Sequence, residues 1–393
     1  MRDILSKTGP AGGRPPGFSR RAFMAGSAAT GATLAVATAA GFGTMGGLMG
    51  TARAQQRELT MLAWPGHAEP DIVAAFEQRH NVRVRAKYYT GGDNMLGLIA
   101  QSPPGTFDLI LSDAEYVQQL REAGHIEALD PRDYPFDDFF PEFQKFPGHW
   151  QGDTLYAVAL RFGFLGVAYN SDAISATRAR SYRLFWDPTL AGKVGHLDWH
   201  LPNLGQVSLL NGNARPFDID AAAWAAVQNR AMTLRPQIAG FFDFGGTFAS
   251  LRSGQVLAMA GIGDYITGLL QRNGVAVRTA IPEEGGLQWT EGYCIGRGSR
   301  RQDLARAFIQ HMTAPEGQVR SAMMEAYPAM IPSRKGWELL NARHPDEAGR
   351  QGMLLGKANA MDEIRAGRIK LRQIPSAQTL EAWNDFWVRY KSA

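Results

Sequence analysis

Two histidines four residues apart, His196 and His200, form the first pattern in this sequence with chemical potential. Histidines at this spacing share one face of a helix and can bind a zinc ion together. The surrounding residues 194–199, however, have the pattern of a strand that enters a turn, and no third ligand is apparent. We therefore predict no metal site at these two histidines.

Other reactive residue types are scarce. A single cysteine, Cys294, excludes a disulfide within the chain and a cysteine-based metal cluster. The sequence has no dinucleotide-binding glycine fingerprint, no nucleophile elbow and no His-Glu-x-x-His motif, and the stretch GFFDFGG at 240–246 is not followed by the lysine of a phosphate-binding loop. The sequence therefore favours a binding protein without a cofactor over an enzyme.

The first 54 residues have the pattern of an export signal. Arg20 and Arg21 stand in the segment SRRAFM, a weakly apolar run rich in Ala, Gly and Thr follows to about residue 50, and Ala-Arg-Ala ends at Ala54. The glycines and threonines make this run a poor membrane-spanning helix, so a retained anchor is the less favoured alternative. We predict a signal that the twin-arginine translocase recognises and that is removed after Ala54.

This signal also leaves one functional alternative open. The twin-arginine route carries proteins that fold before export, often because they hold a cofactor. An exported enzyme therefore remains an alternative to a binding protein, and the export signal is its only support.

Most of the positive charge of the chain lies in this leader. The first 54 residues carry six basic side chains and one acid, a charge of +5, whereas the whole chain has +4. The mature part is therefore close to −1, and it has no cluster of Lys and Arg with interleaved aromatic residues, which argues against a nucleic-acid partner. No cysteine stands at the cleavage site to carry a lipid. We predict a freely diffusing protein in the periplasm of a bacterium with an outer membrane.

The elements after the leader alternate between strand and helix. Residues 58–64 have a strand pattern, and residues 71–79 place apolar side chains on one helical face. Residues 82–87 alternate as in a half-exposed strand, and a continuously apolar strand at 108–111 precedes a helix at 115–122. Residues 167–170 have the pattern of another buried strand, and the same style continues through 176–277. The pattern predicts an α/β fold, and about 339 residues are enough for two lobes.

Several ordered motifs resemble the periplasmic spermidine/putrescine-binding proteins of ABC importers, from about residue 57 to the C-terminus. The most specific is IPEEGGLQWTEGYCI at 281–295. It is followed by ARAFIQHMTAPEGQVRSAMMEAYP at 305–328 and IPSRKGWELL at 331–340, and it is preceded by FDLILSDAEYV at 107–117 and GFLGVAYNSDAI at 163–174.

This resemblance implies a bilobal type II periplasmic-binding-protein fold, in which two α/β lobes close about a hinge on a small ligand. Lobe one would contain 57–163 and 291–341, and lobe two 164–290 and 342–393. The implied partners are a small amine and an ABC permease in the inner membrane. We expect a monomer without a cofactor.

The resemblance also implies which residues line the cleft. The family's aromatic wall, its Trp-x-acid pair, its Tyr-Pro and its late glutamine fall on Trp64, Trp289, Glu291, Tyr327 and Gln373. Carboxylates would neutralise an ammonium group, and the aromatic faces would attract the cation. Trp64 and Trp289 could equally be ordinary core residues.

Other implied cleft positions depart from the family. His67 stands in place of a tyrosine, Asp113 and Glu115 replace Ser-x-Tyr, His200 and Asn203 replace an acidic pair, and Asp264 lies beside a glycine that replaces a tryptophan. Asp113 could be a helix N-cap, and Glu115 a solvated residue of the first helical turn.

These departures bear on the ligand. A long polyamine needs a carboxylate at each end, since an unpaired buried ammonium costs several kcal/mol. The sequence therefore predicts a ligand with an amine at one end and a hydroxyl, amide, carboxylate or phosphonate at the other, such as an amino-acid derivative or an aminophosphonate. A diamine becomes acceptable again if Asp198 or Asp264 reaches the cleft.

Overall fold

The computed structural model describes residues 57–393. The predicted export signal, including Arg20, Arg21 and Ala54, lies outside the described residues and stays a prediction. Within the described part, no helix combines the length and apolar character that a membrane crossing requires.

The strands of the described part form two large sheets and one short hairpin. Their bounds are β1 Arg57–Ala63, β2 Val82–Tyr88, β3 Leu109–Asp113, β4 Trp150–Gln151, β5 Thr154–Leu155, β6 Val158–Leu165, β7 Val167–Asn170, β8 Val194–Leu197, β9 Ile238–Phe242, β10 Ala258–Ala260, β11 Val277–Ala280, β12 Gly286–Ile295 and β13 Ile369–Leu371.

The helices of the described part lie mostly between these strands in the chain. Their bounds are α1 Pro70–His80, α2 Gly92–Ala100, α3 Ala114–Glu122, α4 Pro141–Gln144, α5 His200–Leu210, α6 Ala221–Met232, α7 Phe244–Ser253, α8 Asp264–Arg272, α9 Gln302–Thr313, α10 Pro315–Met323, α11 Arg334–Arg343, α12 Pro345–Arg350, α13 Ala360–Arg365 and α14 Leu380–Ser392.

The first sheet has the strand order β13-β12-β3-β1-β2, and β6 pairs with β12 beside this path. β1 pairs in parallel with β2 and β3, whereas β12 runs antiparallel to β3 and β6. All ten residues of β12 and all eight of β6 are buried. Strands covered on both faces read as continuous apolar runs, so the few charged residues on β6 and β12 must have partners inside the protein.

The second sheet has the order β11-β7-β10-β8-β9. Its central strand β10 pairs in parallel with β8 and antiparallel with β7. Each sheet packs its own core: the core of the first lobe includes Phe76, Phe162 and Trp337, and a core of the second includes Leu204 and Trp383. The structure thus has the two α/β lobes that the sequence predicted.

The chain passes between the lobes along two neighbouring strand junctions. β6 leads into β7 through Gly166, and β11 leads back into β12. A Cβ atom on Gly166 would lie 2.2 Å from the carbonyl oxygen of Ala280, so only glycine lets the two junctions approach this closely. A third passage leads from β13 to α14.

Most elements predicted from the sequence occur close to their predicted limits. The helix α1 buries Ile72, Val73 and Phe76, as its periodicity indicated, and β7 has the predicted limits. The lobe boundaries stay a prediction, which the packing refines in two places. β12 belongs entirely to the first sheet, and residues such as Ala348 and Ile369 pack into the core of the first lobe rather than the second.

Candidate ligand-binding site

A cavity of about 550 Å³ lies between the two lobes. Both lobes contribute side chains to its wall. The aromatic and charged or polar residues of this wall include Trp64, Asp113, Asp198, Trp199, His200, Asp243, Phe244, Tyr265, Trp289, Glu291, Tyr327, Arg372 and Lys391. Of the residues predicted for the cleft, the structure brings Trp64, Asp113, His200, Trp289, Glu291 and Tyr327 to this one cavity.

Aromatic rings from the two lobes meet across the cavity. The ring centroids of Trp64 and Trp199 are 6.4 Å apart, and those of Phe244 and Tyr327 are 5.8 Å apart. Tyr265 stands edge-on to the indole of Trp289 at 5.6 Å. The last two of these pairs have edge-to-face geometry, which stabilises contact between aromatic rings.

Trp289 and Glu291 share one face of β12, because alternate side chains of a strand point to the same side. The indole of Trp289 lies over Gly163 of β6, where a Cβ atom would be only 2.6 Å from the ring. A glycine at this position is therefore needed to seat the aromatic wall against the neighbouring strand. Trp289 is 95% buried, as a core residue would be, and it also lines the cavity. Both interpretations of this residue are therefore correct in part.

Glu291 is held by a partner that the sequence did not predict. Arg161, a fully buried residue of β6, donates from Nε to Oε2 of Glu291 at 2.7 Å. The same guanidinium contacts Nε2 of His67 at 2.7 Å and donates to the carbonyl of Tyr327, and it stacks 4.5 Å above the Tyr327 ring. Glu291 Oε1 has no hydrogen-bond partner within residues 57–393, so one carboxylate oxygen remains for a ligand.

The charges of this group follow from its burial and its contacts. Burial by itself raises the pKa of Glu291, but Arg161 and His67 together lower it to about 2. Burial and the neighbouring Arg161 lower the pKa of His67 to about 4. At neutral pH the cluster is therefore an arginine–glutamate ion pair with a neutral histidine beside it.

Asp113 lies directly opposite Glu291 on the neighbouring strand β3. Its Oδ1 forms an ion pair with Nη2 of Arg372 at 2.8 Å, and its Oδ2 accepts a hydrogen bond from Trp64 Nε1 at 3.2 Å. Arg372 also donates from Nε to Glu115. One arginine thus serves two carboxylates.

Burial raises the pKa of Asp113 to about 7, although Arg372 acts in the opposite direction. The charges of Glu115 and Glu291 add to the increase, because like charges in neighbouring positions disfavour ionisation. Asp113 occupies the N-cap position of α3, as the sequence alternative suggested, but its side chain makes no capping hydrogen bond.

The remaining predicted residues do not line this cavity. His67 is fully buried behind Glu291, and Asn203 is turned inward, where it bonds His196 and the carbonyls of Leu197 and Trp199. Asp264 is bound by Arg350 of α12. Asn203 and Asp264 are thus held away from the cavity by fixed partners, whereas His67 contacts Arg161 through Nε2 and its Nδ1 has no partner among residues 57–393.

Glu115 and Gln373 face a second cavity, of about 650 Å³, on the other side of Arg372. The fold also places His196 and His200, which are four residues apart in the sequence, on different elements. His196 lies on β8 with both ring nitrogens bonded, whereas His200 begins α5.

The sequence interpretation missed Arg161, Arg372, Trp199, Phe244 and Tyr265. Arg161 carried a signal, because an arginine inside the continuous apolar run VALRFGFL must be buried and paired. The others stand in unremarkable local sequence, and only the packing of the lobes places them together.

Residues 71–345 match the family described as bacterial extracellular solute-binding protein. The chain is 23% identical over 286 residues to the putrescine-binding periplasmic protein of Escherichia coli, with 68% of this chain and 76% of the relative covered. Because the family match covers more than half of the chain, the chain belongs to this family.

Two solved structures support the fold. A putative spermidine/putrescine ABC transporter structure from Listeria monocytogenes matches with a TM-score of 0.72 and 19% identity, over 85% of this chain and 99% of the other. A periplasmic binding protein from A. tumefaciens B6, in complex with glucopine, matches with a TM-score of 0.67 and 16% identity, over 85% of this chain and 99% of the other. The predicted family resemblance, bilobal fold and periplasmic localisation are confirmed.

Proposed function

We propose that this solute-binding protein captures a small amine in the interlobe cavity and delivers it to an ABC permease in the inner membrane. The observation that carries the proposal is Glu291, whose carboxylate is fixed by Arg161 through one oxygen and open to the cavity through the other. A primary ammonium group on that second oxygen would make a charge-assisted hydrogen bond without displacing the arginine.

The surroundings of Glu291 favour a cation. Tyr265 stands edge-on to both Trp289 and Tyr327, with ring centroids 5.6 and 6.3 Å apart. The faces of such aromatic rings attract an ammonium group. Asp113, directly across from Glu291, adds a second carboxylate within reach of the same ammonium.

The net charge of the cavity wall also favours a cationic ligand. Five acids line the cavity, namely Asp93, Asp113, Asp198, Asp243 and Glu291, against two cations, Arg372 and Lys391. This excess of negative charge attracts cationic solutes. The similarity to a putrescine-binding protein of Escherichia coli and to a putative spermidine/putrescine transporter of Listeria monocytogenes supports an amine as well.

Export completes the proposal. Arg20 and Arg21 would direct the folded chain to the twin-arginine translocase, and cleavage after Ala54 would release it into the periplasm. The mature protein would then act as a monomer between ligand and permease.

Calorimetric titration with putrescine tests the amine assignment. Wild-type protein should bind, and Trp289→Ala should lose about 2 to 3 kcal/mol of binding free energy, by analogy with aromatic anchors of other interfaces. Trp150→Ala is the matched control, because Trp150 is also a partly buried tryptophan of the first lobe but lies outside the cavity. Unaltered affinity of Trp289→Ala would contradict the proposed cleft.

Lobe closure gives a second test of the same function. A ligand that binds only the closed form shifts the population toward it, and it raises the melting temperature by mass action. Small-angle scattering should therefore show a smaller radius of gyration with bound ligand. Superimposable curves with and without a tightly bound ligand would contradict a hinge mechanism.

A further inference from the structure

The wall of the cavity on the side of the second lobe has a different chemistry from the wall around Glu291. The 11-residue helix α5 begins there at His200, and its N-cap residue Trp199 makes no side-chain capping bond. The first backbone N–H groups of a helix have no intrahelical acceptor, and they carry the positive end of the helix dipole. An acceptor group or an anion is therefore favoured at this end of the helix.

The nearby carboxylates do not cap this helix. Asp198 accepts hydrogen bonds from Trp387 Nε1 and from Lys391 Nζ, both at 2.8 Å. Asp243 is engaged by the backbone N–H of Gly246 at the start of α7. Asp198 thus reaches the cavity, the condition under which the sequence left a diamine acceptable, but Lys391 already pairs with both of its oxygens. Asp243 also lines the cavity, and its Oδ1 serves Gly246.

His200 is the second, independent observation. The residue is 97% buried, and its Nε2 has no hydrogen-bond partner among residues 57–393. Burial lowers its pKa to about 4, so the imidazole is neutral at neutral pH. A buried polar group without a partner is unfavourable, and a ligand atom that pairs with the imidazole would relieve this.

Arg372 adds a cation beside the same helix end. Its guanidinium lies 4.5 Å above the ring of Trp199, the residue that precedes His200. Nε donates to Glu115, and Nη2 forms an ion pair with Asp113 without a hydrogen bond, so within residues 57–393 this nitrogen keeps donor capacity. The acids at this wall, Asp113 and Asp198, are already paired with Arg372 and Lys391, whereas the described residues supply no acceptor to the imidazole of His200.

We infer that this second wall binds an acidic group of the same ligand, a carboxylate or a phosphonate-type oxyanion. The inference rests on the proposed amine function, and it narrows the ligand to a zwitterion with an amino group at Glu291 and an oxyanion at the N-terminus of α5. Putrescine and spermidine carry no such group.

Four probes of one carbon skeleton separate the two ends. Putrescine carries two amines, 4-aminobutanoate an amine and a carboxylate, butylamine the amine alone and butanoate the carboxylate alone. In calorimetric titrations we expect 4-aminobutanoate to bind at least tenfold more tightly than putrescine and than either single-ended probe.

The possible outcomes distinguish the two proposals. If putrescine binds more tightly than 4-aminobutanoate, the oxyanion subsite is wrong and the amine function stands. If butanoate binds as tightly as 4-aminobutanoate, the subsite stands and the amine function is wrong. If none of the four binds, both assignments are overturned for ligands of this length.

A variant at His200 tests the subsite itself. His200→Phe should weaken binding of 4-aminobutanoate about tenfold more than it weakens binding of putrescine, while His200→Asn should restore part of this difference, because its amide also donates. His149→Phe is the matched control, since His149 is likewise buried with Nε2 unpaired but lies outside the cavity. Equal losses for both ligands in His200→Phe, with a normal melting curve, would overturn the subsite.

Discussion

Glu291 and Asp113 face each other across neighbouring strands, each beside a buried arginine, yet they differ in charge state. The pKa of Glu291 is lowered to about 2, whereas that of Asp113 is raised to about 7. Both carboxylates are almost fully buried, so burial by itself does not explain the difference.

The difference lies in how the donors are shared. Arg161 forms an ion pair with a single carboxylate, Glu291, while Arg372 is divided between Asp113 and Glu115. Glu291 is therefore a fixed anion, and Asp113 is a carboxylate whose proton can leave when a cation arrives.

The largest effect should come from removal of Arg161. Arg161→Met leaves Glu291 as a buried charge without a cation, and we expect a loss of about 3 to 5 kcal/mol in the free energy of unfolding. Arg372→Met should cost clearly less at pH 6, because Asp113 can hold a proton there. Urea denaturation of both variants measures the difference, and equal losses would contradict the comparison.

The pH dependence of stability should have opposite signs for the two acids. The folded-state pKa of Asp113 is raised from 3.8 to about 7, so its contribution is present at low pH and is lost as the pH rises through 7. The pKa of Glu291 is lowered from 4.5 to about 2, so its contribution is present above pH 4.5 and is lost as the pH falls toward 2.

Asp113→Asn isolates the first of these contributions. Relative to this variant, wild-type protein should lose stability on the order of 1 kcal/mol per pH unit between pH 4 and 7. Chemical denaturation at several pH values measures the slope. A constant difference between the two proteins across this range would mean that Asp113 titrates normally.

Binding of an amine should release a proton from Asp113 near neutral pH. The cation stabilises the ionised carboxylate, so the affinity should fall as the pH drops below 7, by up to about tenfold per unit. Calorimetry in buffers of different ionisation enthalpy counts the released protons. Asp113→Asn should release none, and proton release that persists in this variant would point to another group.

The smallest effect on ligand binding should come from removal of a third acid–arginine pair, which lies outside the cavity. Asp264 of α8 binds Nη1 of Arg350 of α12, and Glu347 bonds both Arg350 and Arg272. Since α8 packs with the second lobe and Ala348 of α12 with the first, the cluster connects the lobes. Burial raises the pKa of Asp264 in spite of Arg350.

Arg350→Gln should therefore favour the open form and weaken ligand binding about twofold to fivefold. Ion pairs that are partly exposed contribute about 1 kcal/mol or less, which sets this range. Scattering should show a larger radius of gyration for the variant without ligand. The exposed pair Lys145 with Asp153 offers a control, since Lys145→Gln removes an ion pair within the first lobe only.

The sequence alone determined the features that depend on neighbouring residues. Periodicity placed α1, β2 and β7 because the alternation of apolar residues records which face of an element is buried. The segment QWTEG likewise placed Trp289 and Glu291 on one face of a strand, since alternate residues must point to the same side.

Only the tertiary structure decided which charges meet. Glu291 and Arg161 are 130 residues apart in the chain, and Glu115 and Arg372 are 257 apart. No local pattern encodes such pairs, because the contact forms only when strands and lobes pack. For the same reason the sequence could not show that Asn203 and Asp264 are held away from the cavity while Asp198 lines it, bound to Lys391. The sequence indicated that the site would contain carboxylates and aromatic side chains. The packing of the lobes decides which of these residues line the same cavity.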